Sequence, residues 1–244
     1  MINYSDVIVT HSKFAYKELK KDLNRKIPNI IIPINTDTRK FRKKRVNLSK
    51  YCKKYDLNKD DTLLLTVGRF SHNKRLPVQI LALKKVLSKQ PNVKLLIVGN
   101  SSNDPYTQEY NYCRKLAERL KISNSVRFLG LVTEDELVDL YNLADIYLCS
   151  SVHEGFCMPV MEAMSCGTPV ISADAAATPE TIGDAGILFR HNNSTDLSKK
   201  ILSLIRNKKL DSKLVKKSLI RAKKNNITIT GLNRVIDRIV KLKK

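Results

Sequence analysis

The stretch IYLCSSVHEGFCMPVMEAMSCGTPVISA, residues 146–173, decides the fold. It opens on a short apolar run, IYLCS at 146–150, and closes on another, PVISA at 169–173. Bounded by small polar residues, each reads as a buried strand. Between them, a helix is expected over about Pro159 to Cys166. Proline suits a first turn, where its missing N–H costs no hydrogen bond, and Gly167 suits the stop just past the end. Alternation of strand and helix is the signature of a parallel sheet covered by helices.

Working outward, TLLLTVG (62–68), KLLIVG (94–99) and VRFLG (126–130) read as further buried strands, and GILF (186–189) as a sixth. Apolar residues recur at three and four over Pro77–Lys89, through Ile80, Leu83 and Leu87, and again over Tyr110–Leu120 and Glu134–Leu143. Thr133 with Glu136 three residues later is a capping box for the last of these. The fold class is therefore α/β, a Rossmann-like parallel sheet with flanking helices over residues 61–206. Three basic amphipathic helices are expected beyond it, about Leu197–Ile205, Lys213–Lys223 and Leu232–Leu242, the last two making up a basic C-terminal segment, 207–244. Residues 1–45 form a strand–helix–strand unit, DVIVT, SKFAYKELKKDL and NIIIPI, too small to close a core alone. It is expected to pack on the main domain or on another chain. Residues 46–60, at the end of a Lys/Arg-dense stretch, read as a linker.

Composition removes several function classes. No apolar run is long enough to cross a membrane, and MINYSDVIVTHSK lacks the basic-then-apolar order of a secretory signal, so a cytoplasmic location is expected. Cys52, Cys113, Cys149, Cys157 and Cys166 form no CxxC pair and mostly sit in apolar runs, as reduced buried side chains do; no metal site is implied. The net charge of +22 is uneven: 16 Lys and Arg face 5 Asp and Glu in residues 1–59, 13 face 16 in 60–198, and 16 face 2 in 199–244. Basic runs such as RKKR at 42–45 lack interleaved aromatics for stacking bases, which argues against nucleic acid. A solvated face, or contact with an anionic membrane surface at the inner face of the membrane, remains open.

The candidate site follows from strand ends. In an open parallel sheet, ligands bind beyond the carboxyl ends of the strands, where EGFCMP follows IYLCS. The N-terminus of the following helix presents free amides and partial positive charge, which suit phosphate. Glu162 is expected within its first turn, as an acceptor for paired sugar hydroxyls, and Glu154 in the loop ahead. After LLLTVG, the loop RFSHNK hangs Arg69 and Lys74 near the same crevice, where they can neutralise a diphosphate. His72 and His153 read as loop hydrogen-bond partners, Ser150 and Ser151 as too close to His153 in sequence for a hydrolytic triad, and the role of Glu180 stays open.

The series VGRFSHNK, KLLIVG, VRFLGLV, LYNLADIYLCSS, HEGFCMPVMEAMSCGTPVISAD and TPETIGDAGILF resembles the donor-binding, C-terminal half of family-4 retaining glycosyltransferases of the GT-B fold. Glu154 and Glu162 match the two ends of that family's E-x7-E motif. The resemblance implies that Glu154 contacts the transferred sugar, with Arg69 and Lys74 on the diphosphate as the catalytic set. It implies donor binding by Glu162 at the ribose, by Gly155, Phe156, Cys157, Met158 and Pro159 around sugar and phosphate, and by Gly68. Gly130 and Leu131, in the stretch Phe128–Val132, would lie near the base. A UDP- or GDP-sugar is the implied donor, the acceptor is unspecified, and no cofactor or metal is implied. Residues 1–45 resemble the end of the family's acceptor-side N-terminal domain. Alternatives are a donor-binding subunit that needs a separate N-terminal partner chain, or a basic membrane- or nucleic-acid-binding module. The chain departs from the family at Cys157 and Arg75, where glycine is commoner, and at Asn100, Ser101 and Ser102, near which a second glycine is usual.

Overall fold

The computed structural model describes residues 4–101, 106–226 and 229–242. Six parallel strands form the main sheet: β3 (Thr62–Val67), β4 (Val93–Val98), β5 (Val126–Gly130), β6 (Ile146–Cys149), β7 (Val170–Ala173) and β8 (Ile187–Phe189). Their spatial order is β5-β4-β3-β6-β7-β8. The chain thus builds outward from β3 in one direction, returns, and builds outward from β6 in the other. The reversal falls between β3 and β6, where a doubly wound sheet opens its crevice.

The strands are apolar on both faces because helices cover both. Leu63 and Leu65 of β3 join one buried cluster with Tyr141 and Tyr147, while Leu64 between them joins a second with Ile80 and Leu83. The second face is covered by α3 (Leu76–Leu87), α4 (Tyr106–Arg119) and α8 (Ser194–Arg206); the first by α5 (Glu134–Leu143) and α6 (Met158–Ser165). A short α7 (Thr178–Ile182) sits after β7, and α9 (Lys208–Asn225) and α10 (Ile229–Leu242) follow α8. Among the described residues no helix is long and apolar enough to cross a membrane.

All six strands expected in the main sheet form within a residue of their expected ends, whereas the N-terminal strands expected over 6–10 and 29–34 shorten to Ile8–Thr10 and Asn29–Ile31. Helix α5 covers its expected span, and Thr133 Oγ1 accepts from the Glu136 amide at 3.3 Å. The Glu136 carboxylate, however, takes Lys54 and Tyr55 instead of capping back. Helix α4 begins four residues before Tyr110, in a polar turn without apolar periodicity. Ser102 lies outside the described residues.

The stretch expected as a linker contains α2 (Ser49–Tyr55), and its Tyr51 and Tyr55 are buried in the first cluster. Lysines drew the linker reading, but α5 supplies their counter-charges: Lys40 pairs with Glu134, Lys44 with Asp139 at 2.6 Å and Lys54 with Glu136 at 2.5 Å. That much of the basic flank is an internal clamp. The N-terminal unit, β1 (Ile8–Thr10), α1 (Lys13–Leu19) and β2 (Asn29–Ile31), pairs its two strands in parallel and packs against this same chain. Ser12 Oγ donates to the Gly155 carbonyl at 2.6 Å, and the Lys13 amide donates to Glu180 Oε2 at 2.9 Å. Glu180 therefore caps α1 from across the crevice edge.

Candidate active site

The site forms where the loops after β3 and β6 meet. Gly99, at the end of β4, lies so close to β3 that a Cβ there would sit 1.9 Å from the Gly68 carbonyl, so only glycine fits. Gly68 has a φ of 153° and packs under the Lys74 side chain. From there the chain runs through a 3-10 turn, His72–Lys74, to Arg75 in the left-handed region (φ 52°), directly before α3.

The two loops are stapled together. Ser150 Oγ donates to the Lys74 carbonyl at 2.6 Å, and Ser151 Oγ and the Val152 amide both donate to the Asn73 carbonyl, at 3.1 and 2.9 Å. Asn73 Nδ2 returns a bond to the His153 carbonyl, and Gln79 Nε2 of α3 donates to Ser150 Oγ at 2.8 Å. The serines thus serve the scaffold. His153 is exposed and meets the Phe14 ring edge-on, and His72 is exposed beside Arg75.

Across this stapled seam Lys74 Nζ donates to Glu154 Oε1 at 2.5 Å, with both side chains largely shielded. Burial alone would lower the Lys74 pKa; the charge and hydrogen bond of Glu154 outweigh it, and the ammonium is held above its ordinary value. The Glu154 carbonyl accepts from the Ala177 amide and the Phe156 carbonyl from Thr181 Oγ1, so α7 fixes the loop from behind. Gly155 is exposed, and nothing lies within 4 Å of where its Cβ would be.

Helix α6 begins at Met158, with Pro159 second and the buried Cys157 before it at φ 71°. The left-handed turn that glycine would make without cost is made by a cysteine, whose Sγ packs 3.7 Å from that of Cys149. That contact and burial push the Cys157 thiol well up. This start corrects the expected register: Glu162 is the fifth residue of α6, past its first turn. Glu162 is half-buried, and Tyr141 Oη donates to its Oε2 at 2.8 Å. Burial raises the Glu162 pKa above its ordinary value, and the Tyr141 hydrogen bond only partly opposes that.

Arg69, Lys74 and Cys157 line one cavity with Gly68, Tyr147 and Cys149. Arg69 is exposed, and its Nη1 donates to Tyr106 Oη at 2.9 Å with the guanidinium over that ring. Gly130 turns at φ 68° with open space beside it, its carbonyl accepting from the Gly99 amide, and Leu131 is exposed.

Residues 49–220 match the family described as Glycosyl transferases group 1. This chain belongs to that family. A Streptococcus pneumoniae alpha-monoglucosyldiacylglycerol synthase is 28% identical over 159 residues, 64% of this chain and 35% of that protein. A solved glycosyltransferase from Rickettsia africae superposes with a TM-score of 0.86 at 21% identity, covering 100% of this chain and 65% of that one. Anabaena Alr3699/HepE, solved with UDP and glucose, gives 0.85 at 19% identity over 97% of this chain and 64% of that one. The likeness places the sheet in the GT-B fold. The chain spans about a third of the length of the curated relatives it matches.

In this member of the family, sequence reasoning missed Tyr106, Asn73, Gln79 and Tyr141. Gln79 carried a signal, a polar residue on the apolar stripe of α3 beside Ile80. Tyr141 sits inside the quoted LYNLADIYLCSS, but its role appears only when α5 packs on α6.

Proposed function

We propose that this chain carries the donor site of a retaining glycosyltransferase that takes a hexosyl group from a nucleoside-diphosphate sugar. The observation that carries the reading is the Lys74–Glu154 pair at the switch point of the sheet, in the loops just ahead of α3 and of α6, the helix that carries Glu162. In this reading Lys74 and Arg69 offset the charge of the diphosphate as the sugar-to-phosphate bond breaks, stabilising the leaving group without a metal. Glu154 accepts hydroxyls of the sugar and also holds Lys74 toward the phosphates. Glu162 accepts the ribose hydroxyls. The left-handed turn at Cys157 aims the first amides of α6 at the phosphates. Gly155 leaves the sugar side open, and Gly130 and Leu131 edge the base.

Support for a nucleotide sugar comes from the family and from the GT-B neighbour solved with UDP and glucose. Retention and the choice of a hexose rest on the E-x7-E pattern. Calorimetric titration of UDP, GDP and ADP, free and as sugar conjugates, into wild type and Glu162→Ala tests the reading. One nucleotide series is expected to bind wild type and to lose about 1–3 kcal/mol in the variant, the worth of hydrogen bonds to a charged group. Equal affinity in the two proteins would remove Glu162 from the site, and no binding to wild type would remove the donor function.

A further inference from the structure

Glu162 has a fixed partner that the donor reading does not use. Tyr141, on α5, is fully buried, and its Oη donates to Glu162 Oε2 at 2.8 Å. Its ring is wedged between Phe41, at 6.0 Å, and Tyr147, at 5.7 Å, and its own carbonyl accepts from Thr168 Oγ1 at 2.5 Å. The phenol therefore has one orientation, set by three separate segments. Burial holds its pKa well above the ordinary value, so it is a neutral donor throughout the working range and cannot exchange roles with the carboxylate.

We propose that Tyr141 is a positioning residue of the donor site, holding the Glu162 carboxylate by one oxygen so that the other faces the ribose hydroxyls of the nucleotide. The inference rests on the donor reading above and adds the device that makes Glu162 usable there. A half-buried carboxylate has two problems: it can rotate, and burial favours its neutral form, which accepts poorly. The groups around Glu162 sharpen the second. Glu134, also on α5, repels its charge; Tyr147 from β6 and Cys166 at the end of α6 sense it; none of them is a cation. The Tyr141 hydroxyl is the neighbour that favours the ionised form.

Carbonyl-detected NMR of the Glu162 side chain against pH, combined with calorimetry of the best-binding nucleotide, tests this in wild type, Tyr141→Phe, Glu162→Gln and the double variant. Tyr141→Phe keeps the ring and its packing. It is expected to move the Glu162 titration to higher pH, to weaken nucleotide binding about tenfold at neutral pH, the worth of one hydrogen bond to a charged group, and to shift the acid limb of binding upward with the titration. In the Glu162→Gln background the same change should leave affinity almost untouched, whereas a merely structural role would cost the same in both. An unmoved Glu162 titration overturns the proposal whether or not a nucleotide binds. A moved titration with nucleotide binding absent in wild type would leave Tyr141 controlling Glu162 and discard the donor reading instead.

Discussion

Lys74 and Glu154 form an ion pair of 2.5 Å that ties the loop after β3 to the loop after β6 across the opening of the sheet. The same two side chains are those proposed to hold phosphate and sugar. The pair therefore pre-shapes the crevice, and a donor entering it offers Lys74 a second anion without moving it into water.

Lys74→Met tests that dual role. It leaves Glu154 shielded without its cation, and a loss of about 1–3 kcal/mol in urea unfolding is expected at neutral pH. Because the folded-state pKa of Lys74 is raised above its ordinary 10.5, the contribution is fully present below that value and fades as pH rises through the folded value. The difference between wild type and variant should therefore shrink as pH rises through the folded-state value. A constant difference across that limb would show that the pair does not stabilise the fold.

A second ionic device works at the opposite end of the pH scale. Burial raises Glu136 and Asp139, but hydrogen bonds from Lys54 and Tyr55 to the first, and from Lys44 and Tyr51 to the second, outweigh it, and both end below their ordinary values of 4.5 and 3.8. Depressed carboxyl groups stabilise above the unfolded value and lose that contribution as pH falls through the folded one. Helix α2 is thus expected to detach from α5 in acid. Glu136→Gln with Asp139→Asn should cost about 1–3 kcal/mol at neutral pH and flatten the acid decline. Hydrogen exchange of residues 49–55 at neutral and acid pH reads both effects, and an unchanged acid profile would refute the latch.

The sheet was legible because β3, β4, β6 and β7 are apolar on both faces, so each announces itself as a short uninterrupted run. That Lys74 and Glu154 sit in the loops after β3 and β6 was legible because such runs mark where those strands end. What could not be read depends on packing between segments distant in the chain. Helix α2 is hidden in a lysine-rich stretch because its counter-charges lie on α5, about 80 residues on. The register of Glu162 depends on Cys157 taking a left-handed turn, which lets α6 start at Met158. Tyr106 rests on Arg69 from a polar first turn with no apolar stripe to mark it.

Arg75 carries a measurable cost of this kind. It holds a φ of 52°, and among the described residues its Nε is buried without a partner, while its Nη1 meets the exposed His72. A left-handed conformation costs a residue bearing a Cβ roughly 1–2 kcal/mol, so Arg75→Gly is expected to stabilise the protein by up to about 1 kcal/mol after the extra unfolded-state entropy of glycine is deducted. Urea unfolding checks it. A destabilised variant would mean that the Arg75 side chain makes a contribution larger than its strain.

The docking of α1 on the donor loop gives the last prediction. Ser12 Oγ accepts from the Ala15 amide at 2.9 Å, capping α1, and donates to the Gly155 carbonyl at 2.6 Å, one residue from Glu154. One hydroxyl thus serves as helix cap and as anchor for the loop that carries Glu154. Ser12→Ala is expected to cost about 1–2 kcal/mol of stability from the lost cap. It should also weaken a nucleotide sugar more than the bare nucleotide, because the loop it frees is the one proposed to face the sugar. Ser12→Thr, which keeps the hydroxyl, should restore both. Calorimetry with the two ligands distinguishes the roles: an equal loss for both would reduce Ser12 to a helix cap, and a selective loss would make the N-terminal segment part of how the donor sugar is held.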